Sequence, residues 1–330
     1  MKEILNKLTA HHTLTQAEAR QLLLEISSGV YSELQVAVFM GTTLMRTIGV
    51  EELKGYKEAL LELCVKPSLE CNESIDMCGT GGDGKNTFNI STTSAFVVAG
   101  AGYKVSKHGN YGVSSLCGSS NVLESLGYKF STDDSRLNKE LEQCNICFLH
   151  APLFHPAMKF AAPIRKAIGT KTFFNMLGPL VNPAKPTHQS VGVYSLELAR
   201  LYQYIFEESG TEYSIVHALD GYDEVSLTSD SLVITNDQEV LLTPRHWNIK
   251  KVKPSDIHGG ETITQAKDKL VKILKNTASQ SHKEVVMANA ALAIKCFEKE
   301  KSLEECKQIA KESLDSGAAF NVLNNLINLN

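Results

Sequence analysis

No acidic residue occurs between Asp83 and Glu124, although the whole chain carries a formal net charge of −4. A segment without carboxylates offers no fixed negative charge to repel an anion. What fills it is small and polar: Gly79-Thr80-Gly81-Gly82-Asp83-Gly84 at its opening, then Asn89-Ile90-Ser91-Thr92, Lys107-His108-Gly109-Asn110, Ser114-Ser115 and Gly118-Ser119-Ser120. Backbone N–H groups of glycine-rich loops approach phosphates closely, and hydroxyls, amides and a few cations complete such a site. This composition favours a polyphosphate as ligand.

Other scarcities exclude whole classes of function. Lys and Arg total 33 against 37 Asp and Glu, so the basic excess of a non-specific nucleic-acid binder is missing. The longest apolar stretches, around Ala95–Ala101 and Ala290–Ile294, fall far short of the ~20 residues that cross a bilayer. Met1-Lys2-Glu3 opens a charged amphipathic segment with no apolar run behind it, so no signal peptide and a cytosolic location are expected. Cys144 and Cys147 have metal-like spacing, but no second such pair completes a tetrahedral site, and the eight cysteines read as free thiols.

The chain divides by texture into an α/β protein: a small all-helical domain, then a larger domain with a central, mostly parallel sheet flanked by helices. In the first ~65 residues, Thr15-x-x-Glu18 and Ser32-x-x-Gln35 fit capping boxes, in which a hydroxyl and the side chain three residues on satisfy helix-end N–H groups. Leu22, Leu23 and Ile26, then Val36, Phe39 and Met40, recur at helical spacing, and Gly29 and Gly49 are expected to stop these helices. A further helix is expected over Glu51–Cys64, ahead of Pro67. From Ile75 a different grammar begins. Strands are expected at Ile75–Cys78, Tyr103–Ser106, Ile146–His150, Ser190–Tyr194 and Glu212–His217, with helices near Ser91–Gly100 and Asn121–Leu126. Residues 229–254 read as strand-rich, and the rest as helical, with capping boxes at Ser281-x-x-Glu284 and Ser302-x-x-Glu305.

Three loop types compete for the glycine cluster. Gly79-x-Gly81-x-x-Gly84 after a strand matches the dinucleotide fingerprint, but the acid required about 20 residues on falls in the acid-free stretch and is missing. Gly79-x4-Gly84-Lys85 begins like a nucleotide-triphosphate loop, but Asn86 stands where a hydroxyl should bind magnesium. A cradle built from loops after neighbouring parallel strands remains, with Lys107 as point charge and Ser91, Thr92, Ser115 and Ser119 as donors.

The same loops resemble the signature of the anthranilate phosphoribosyltransferase family. The likeness continues through Ala151-Pro152-x-x-His155-Pro156-Ala157-Met158, Arg165, the run Thr172 to Pro183, and Asp220-Gly221-Tyr222-Asp223-Glu224, in order and across essentially the whole chain. It implies transfer of the phosphoribosyl group of PRPP to the amine of anthranilate, with release of pyrophosphate, in tryptophan biosynthesis. It assigns PRPP to Gly79, Gly82, Asp83, Thr87, Asn89, Ile90, Ser91, Thr92, the run Lys107, His108, Gly109, Asn110, Tyr111, Gly112, Val113, Ser114, Ser115, and Ser119. It assigns anthranilate to Gly79, His108, Asn110, Ala151, His155, Met158 and Arg165, and Mg²⁺ to Ser91, Asp223 and Glu224. Hard carboxylate oxygens suit Mg²⁺, and a guanidinium fork suits the carboxylate of anthranilate. An aromatic amine is nucleophilic enough that no general base is nominated.

The resemblance also implies a small domain of residues 1–68 completed by 170–188, a larger domain of 69–169 and 189–330, and a homodimer formed through the helical domain. Two positions depart from the family's pattern. Tyr111 follows Asn110 where members commonly carry a basic residue, and Asn121 stands where they often carry Asp. The rival readings are a pyrimidine nucleoside phosphorylase, which would not need Arg165 together with Asp223-Glu224, and a non-catalytic nucleic-acid binder, which the charge balance opposes.

Overall fold

The computed structural model describes residues 1–112 and 117–329. Four helices come first: α1 (Lys2–Thr9), α2 (Gln16–Ser27), α3 (Glu33–Leu44) and α4 (Val50–Leu63). Both expected capping boxes form, with Thr15 and Ser32 accepting from the N–H groups of Glu18 and Gln35. Gly29 takes a left-handed φ of 73° just past α2, the backbone shape that ends a helix most readily without a Cβ. Gly49 acts differently from expectation. It opens α4, its N–H donating to Glu52 at 2.9 Å, while α3 has already ended at Leu44. The buried Glu52 carboxylate also accepts from the Leu14 N–H at 3.1 Å and pairs with Arg46, so one side chain ties three segments together.

The remainder builds one sheet. In chain order come β1 (Ile75–Gly79), α5 (Ile90–Gly100), β2 (Val105–Gly109), α6 (Ser119–Ser125), α7 (Asp134–Cys144), β3 (Ile146–His150), α8 (Ala151–Phe154) and α9 (Ala161–Ile168). Then follow β4 (His188–Gly192), α10 (Leu196–Glu207), β5 (Glu212–Ala218), β6 (Ser231–Thr235) and β7 (Glu239–Leu242). Helices α11 (Ile263–Leu274), α12 (Gln280–Phe297), α13 (Leu303–Asp315) and α14 (Ala318–Asn328) close the described chain. The spatial order is β3-β2-β1-β4-β5-β6-β7. The first five strands are parallel, and β6 and β7 add as antiparallel neighbours.

Two strand positions differ from the sequence reading. Strand β2 begins at Val105 and runs to Gly109, so Lys107 and His108 lie on the strand, held in register with Phe148 and Leu149 of β3, rather than in the loop beyond it. Strand β4 starts two residues early, because His188 to Gly192 pair in register with Ile75 to Gly79. Helix α12 is capped by Ser279, whose hydroxyl meets His282, rather than by Ser281. The Ser302 box forms as expected.

Between β1 and β4 the chain order reverses: β2 and β3 extend to one side, β4 and β5 to the other. Loops leaving the carboxyl ends of strands diverge at such a point and open a crevice. One face of the sheet packs on α5 and α12, whose side chains are buried nearly all round, consistent with their apolar composition. The opposite face, through Val191, Val193, Ile215 and Ile234, shares a core with the N-terminal helices. Phe173 joins that core, its ring centroid 5.7 Å from Phe39 and 4.6 Å from Tyr56.

Helices α2 and α4 approach closely at Gly55, where a Cβ would overlap the Gln16 carbonyl oxygen and lie 2.8 Å from the Ala19 Cβ. Ala gains about 1 kcal/mol over Gly in helix propensity, but backbone cannot yield as a flexible side chain can, and overpacking costs about 1–3 kcal/mol or more. Gly55→Ala is therefore expected to lower stability in urea denaturation; an unchanged or raised midpoint would contradict this packing.

Candidate active site

The loop after β1 turns through three left-handed residues, Gly81, Gly82 and Gly84, with φ of 64°, 75° and 73°. Such a run of positive φ is sterically costly for any residue with a Cβ, so the loop's path depends on glycine. Within it the Gly81 N–H donates to Asp223 Oδ2 at 2.7 Å and the Lys85 N–H to Asp83 Oδ1 at 2.9 Å. Asp223 and Glu224 arrive on the loop that follows β5. Two further glycines make room for them: a Cβ on Gly79 would overlap the Asp223 carboxylate, and one on Gly192 would overlap its carbonyl group. The Glu224 carboxylate reaches the first turn of α5 and accepts from the Ser91 N–H at 2.8 Å, an arrangement that the helix dipole favours. Just beyond, Asn289 of α12 pins the loop by bonding both backbone groups of Val225, at 3.0 and 2.9 Å.

Three carboxyls crowd this edge. Burial pushes Asp223 up to about 7, helped by the charge of Asp83, with which it is hydrogen-bonded. Burial likewise raises Asp83, and burial with the charge of Asp223 raises Glu224 well above the usual carboxylate range. Carboxyls so placed must share protons or a cation. Among the described residues, no group of three or more His, Cys, Asp or Glu side chains is arranged to cage a metal without other ligands. The arrangement fits Mg²⁺, which binds through one or two carboxylates and keeps sites for water and substrate phosphate. Asp223, Glu224 and the Ser91 hydroxyl are the groups that would hold it.

Lys107 takes a different place from the one its sequence suggests. Only 2% exposed, it donates from beneath the site to the Met77 carbonyl and, at 3.4 Å, to Ser91 Oγ. Its charge faces the fully buried Asp76, which accepts from the His108 N–H at 3.1 Å. It therefore offsets buried carboxylate rather than standing free as a phosphate counter-ion. Neither Asp76 nor Asn289 was legible as a site residue, since each sits in an apolar-looking element far in sequence from what it holds.

Asn89 anchors the opening of α5 by donating to the Cys117 carbonyl at 3.0 Å, and Ile90 and Thr92 are buried behind it. Thr87 forms an isolated bridge to His258, which ties the glycine loop's exit to residues 257–259. At the end of β2, Asn110 is exposed, and its carbonyl accepts from Ser119 Oγ and the Ser120 N–H at 3.2 Å each. Asn121 accepts from the N–H groups of Gly112 and Gly118 at 3.1 and 3.0 Å, a role an amide oxygen fills without an added charge. Tyr111 bonds Glu124 at 2.8 Å and sets its ring edge-on to His150, so it fastens the loop to α6. Val113, Ser114 and Ser115 lie outside the described residues.

A second group forms where residues 172–181 cross the sheet edge. The rings of His108 and His155 meet edge-to-face at 5.2 Å, His108 Nδ1 bonding the Gly178 carbonyl at 3.1 Å and His155 Nε2 the Val181 carbonyl at 2.9 Å. The remaining nitrogen of the His108 ring is buried with no partner among the described residues. Ala151 begins α8 at the end of β3, and the half-buried Met158 packs toward the N-terminal helices. Half-buried Arg165 lies over Phe174 at 5.2 Å and reaches Asn175 Oδ1 at 3.4 Å. Among the described residues no carboxylate pairs with it, and burial lowers its pKa. A desolvated guanidinium without an acid is suited to receive one from a ligand.

A helical bundle joined to an α/β domain of the glycosyltransferase type is the class that this architecture defines. The family model "Glycosyl transferase family, helical bundle domain" matches residues 2–64, and "Glycosyl transferase family, a/b domain" matches residues 72–320. The anthranilate phosphoribosyltransferase of Christiangramia forsetii is 52% identical over 97% of this chain and 96% of its own length; that of Bacteroides thetaiotaomicron is 51% identical over 100% and 99%. This chain belongs to the anthranilate phosphoribosyltransferase family. Among solved structures, the Thermus thermophilus enzyme superposes with a TM-score of 0.91 at 30% identity, covering 98% of each chain. The Saccharomyces cerevisiae enzyme, in complex with PRPP and Mg, also gives 0.91, at 27% identity over 98% of this chain and 96% of its own.

Burial is the chief cause holding His108 and His155 neutral, each lowered to about 4. In the unfolded chain both take up protons near 6.5, whereas the folded state resists until about 4, so stability falls with pH across that window. The stability advantage of wild type over His108→Gln should shrink by up to about 3 kcal/mol between pH 6.5 and 4. Urea midpoints across that range test this, and a pH-independent difference would refute it.

Proposed function

We propose that this chain transfers the 5-phosphoribosyl group of PRPP to the amine of anthranilate, releasing pyrophosphate, in tryptophan biosynthesis. One observation carries the reading: a donor-rich glycine loop, the start of α5 and the Asp223-Glu224 carboxylates converge at the carboxyl edge of β1, β4 and β5. In this reading PRPP lies against Gly79, Gly82, Asp83, Thr87, the run Asn89 to Thr92, the stretch Gly109 to Ser115 that follows the buried Lys107 and His108 of β2, and Ser119. Arg165 holds the carboxylate of anthranilate and Asn110 directs its amine. Neutral His108 and His155, with Ala151, Met158 and the bare backbone of Gly79, shape the slot for its ring. The yeast relatives solved with PRPP and Mg, and with 4-fluoroanthranilate, support this assignment of ligands.

The chemistry asks the protein mainly for position and charge. As the bond from C1 of the ribose to pyrophosphate breaks, positive charge grows on the sugar and negative charge on the leaving group, while the amine nitrogen closes on C1. Backbone N–H groups of the glycine loop and the donors at the start of α5 stabilise the leaving charge without reorganising. Arg165 and Asn110 reduce the freedom of the acceptor before attack. Bound Mg²⁺, held through Asp223, Glu224 and Ser91, would supply Lewis-acid neutralisation of pyrophosphate. The buried histidines, lowered to about 4, are present as neutral rings near pH 7 and so do not repel the growing positive charge.

Residues 1–68 with 170–188 are read as one lobe and the rest as the other, with the ligands between them. The packing of Phe173 on Phe39 and Tyr56 supports the return of the later segment to the helical lobe. A homodimer is proposed through α3. Leu34, Val38 and Met45 recur on one side of that helix at 80%, 55% and 89% exposure, and Gly41 between them has open space above it. Such an apolar stripe on an otherwise polar surface fits an isologous contact with a second copy. No helix among the described residues is long and apolar enough to cross a membrane.

The reading is tested by anthranilate fluorescence, which should fall only when PRPP and Mg²⁺ are both present; no PRPP-dependent loss would overturn it. In the same assay Arg165→Ala should raise KM for anthranilate about 10–100-fold and leave that for PRPP within a few fold, as expected for losing one charge-assisted clamp. For the dimer, sedimentation should give twice the chain mass for wild type and a single chain mass for Val38→Glu. A wild-type monomer would exclude it.

A further inference from the structure

On the glycine loop itself, the half-buried Lys85 is turned over the ring of Tyr222, its ammonium 4.8 Å from the centroid. Lys107 is buried and engaged from below, while Asp83, Asp223 and Glu224 add negative charge where a pyrophosphate must also sit. A positive group does reach the glycine loop from elsewhere. Lys171 belongs to the short stretch between α9 and Phe173, the segment that also carries Arg165 and Asn175. It is exposed, yet its stem is laid along the glycine loop: Cε and Cδ lie 3.0 and 3.1 Å from where a Cβ on Gly82 would stand, and Nζ lies 3.5 Å from it. The ammonium sits 4.7 Å above the ring of Tyr194, two residues past the end of β4. No carboxylate lies within ion-pair distance of Lys171 among the described residues, although its charge acts on Asp83. The side chain thus crosses the mouth of the crevice between β1 and β4 and ends beside the loop N–H groups.

We propose that Lys171 is a donor-binding residue, whose ammonium completes the glycine loop as the counter-ion of the PRPP diphosphate. This rests on the proposed phosphoribosyl transfer. Three structural facts converge on it: the bare Cα of Gly82 admits the lysine stem, the Tyr194 face holds the cation without neutralising it, and Lys107 is engaged from below while Lys85 is turned over Tyr222. Because Lys171 and Arg165 share one segment, a single piece of chain brings a cation to each substrate. Donor and acceptor are then set in register by the same backbone.

The test compares Lys171→Met, which keeps the stem and removes the charge, with Lys171→Arg, which keeps the charge. Isothermal titration with Mg²⁺-PRPP alone should show about tenfold weaker binding for Lys171→Met and recovery to within about threefold for Lys171→Arg, as for one charge-assisted contact to phosphate. The KM for anthranilate at saturating PRPP should stay within twofold of wild type. Lys171→Met binding PRPP as wild type does would overturn the proposal, and so would equal losses in both variants or a matching rise in the anthranilate KM. Failure of wild type to bind PRPP and consume anthranilate would instead defeat the assigned reaction itself.

Discussion

Two backbone N–H groups, those of Gly81 and Ser91, hold carboxylates that arrive from 142 and 133 residues away along the chain. The rest of the site depends on this pair of contacts. They bring acid to a segment that has none of its own, at the point where the strand order reverses and the sheet opens. The contacts require a loop free of Cβ atoms at Gly79 and Gly192, a helix whose first turn points at the crevice, and a clamp at Val225 to fix the approach. They also create a buried excess of negative charge. Burial raises the pKa of both Asp223 and Glu224, helped by the charge of Asp83 on the first and of Asp223 on the second.

Charge accounting organises the surroundings in the same way. Lys107 is buried beneath the site, bonded to the Met77 carbonyl and to Ser91 Oγ, and its charge opposes the rise that burial imposes on the pKa of Asp76. On the acceptor side the logic is inverted. Among the described residues no acid pairs with the desolvated Arg165, and the two histidines are buried as neutral rings. One edge of the crevice gathers carboxyls and the other a half-buried guanidinium. The segment 161–181, which carries Arg165 and Lys171 and packs Phe173 into the helical core, spans both.

Much of this was legible in advance because it is local. Thr15 and Ser32 announce their helices through a hydroxyl and a partner three residues on, and both boxes form. The apolar run at Ile75 reads correctly as a strand, and the glycines that follow it form a loop. Errors arose where pairing with a distant strand decided the outcome. Lys107 and His108 looked like loop residues because polar side chains are rare in buried parallel strands; β3 recruits them into the sheet, and the Met77 carbonyl and Ser91 hydroxyl take up the lysine's ammonium. Gly49 looked like a stop because glycine commonly ends helices, but Glu52 turns it into a start. Asn289 and Lys171 carried no local signal, since their partners are loops far away in sequence.

The sequence by itself determined the class of ligand and the family. A carboxylate-free stretch of glycines, hydroxyls and amides is chemistry written in residue types, and its motifs keep their order along the chain. The tertiary structure alone decided which cations lie buried and which stay exposed, which loops the carboxylates of Asp223 and Glu224 reach, and that Arg165 and Lys171 share one short segment. The physical reason is that charge is effective only in relation to burial and distance. Both are set by which strands pair and which helices pack, and neither is a property of any one stretch of chain.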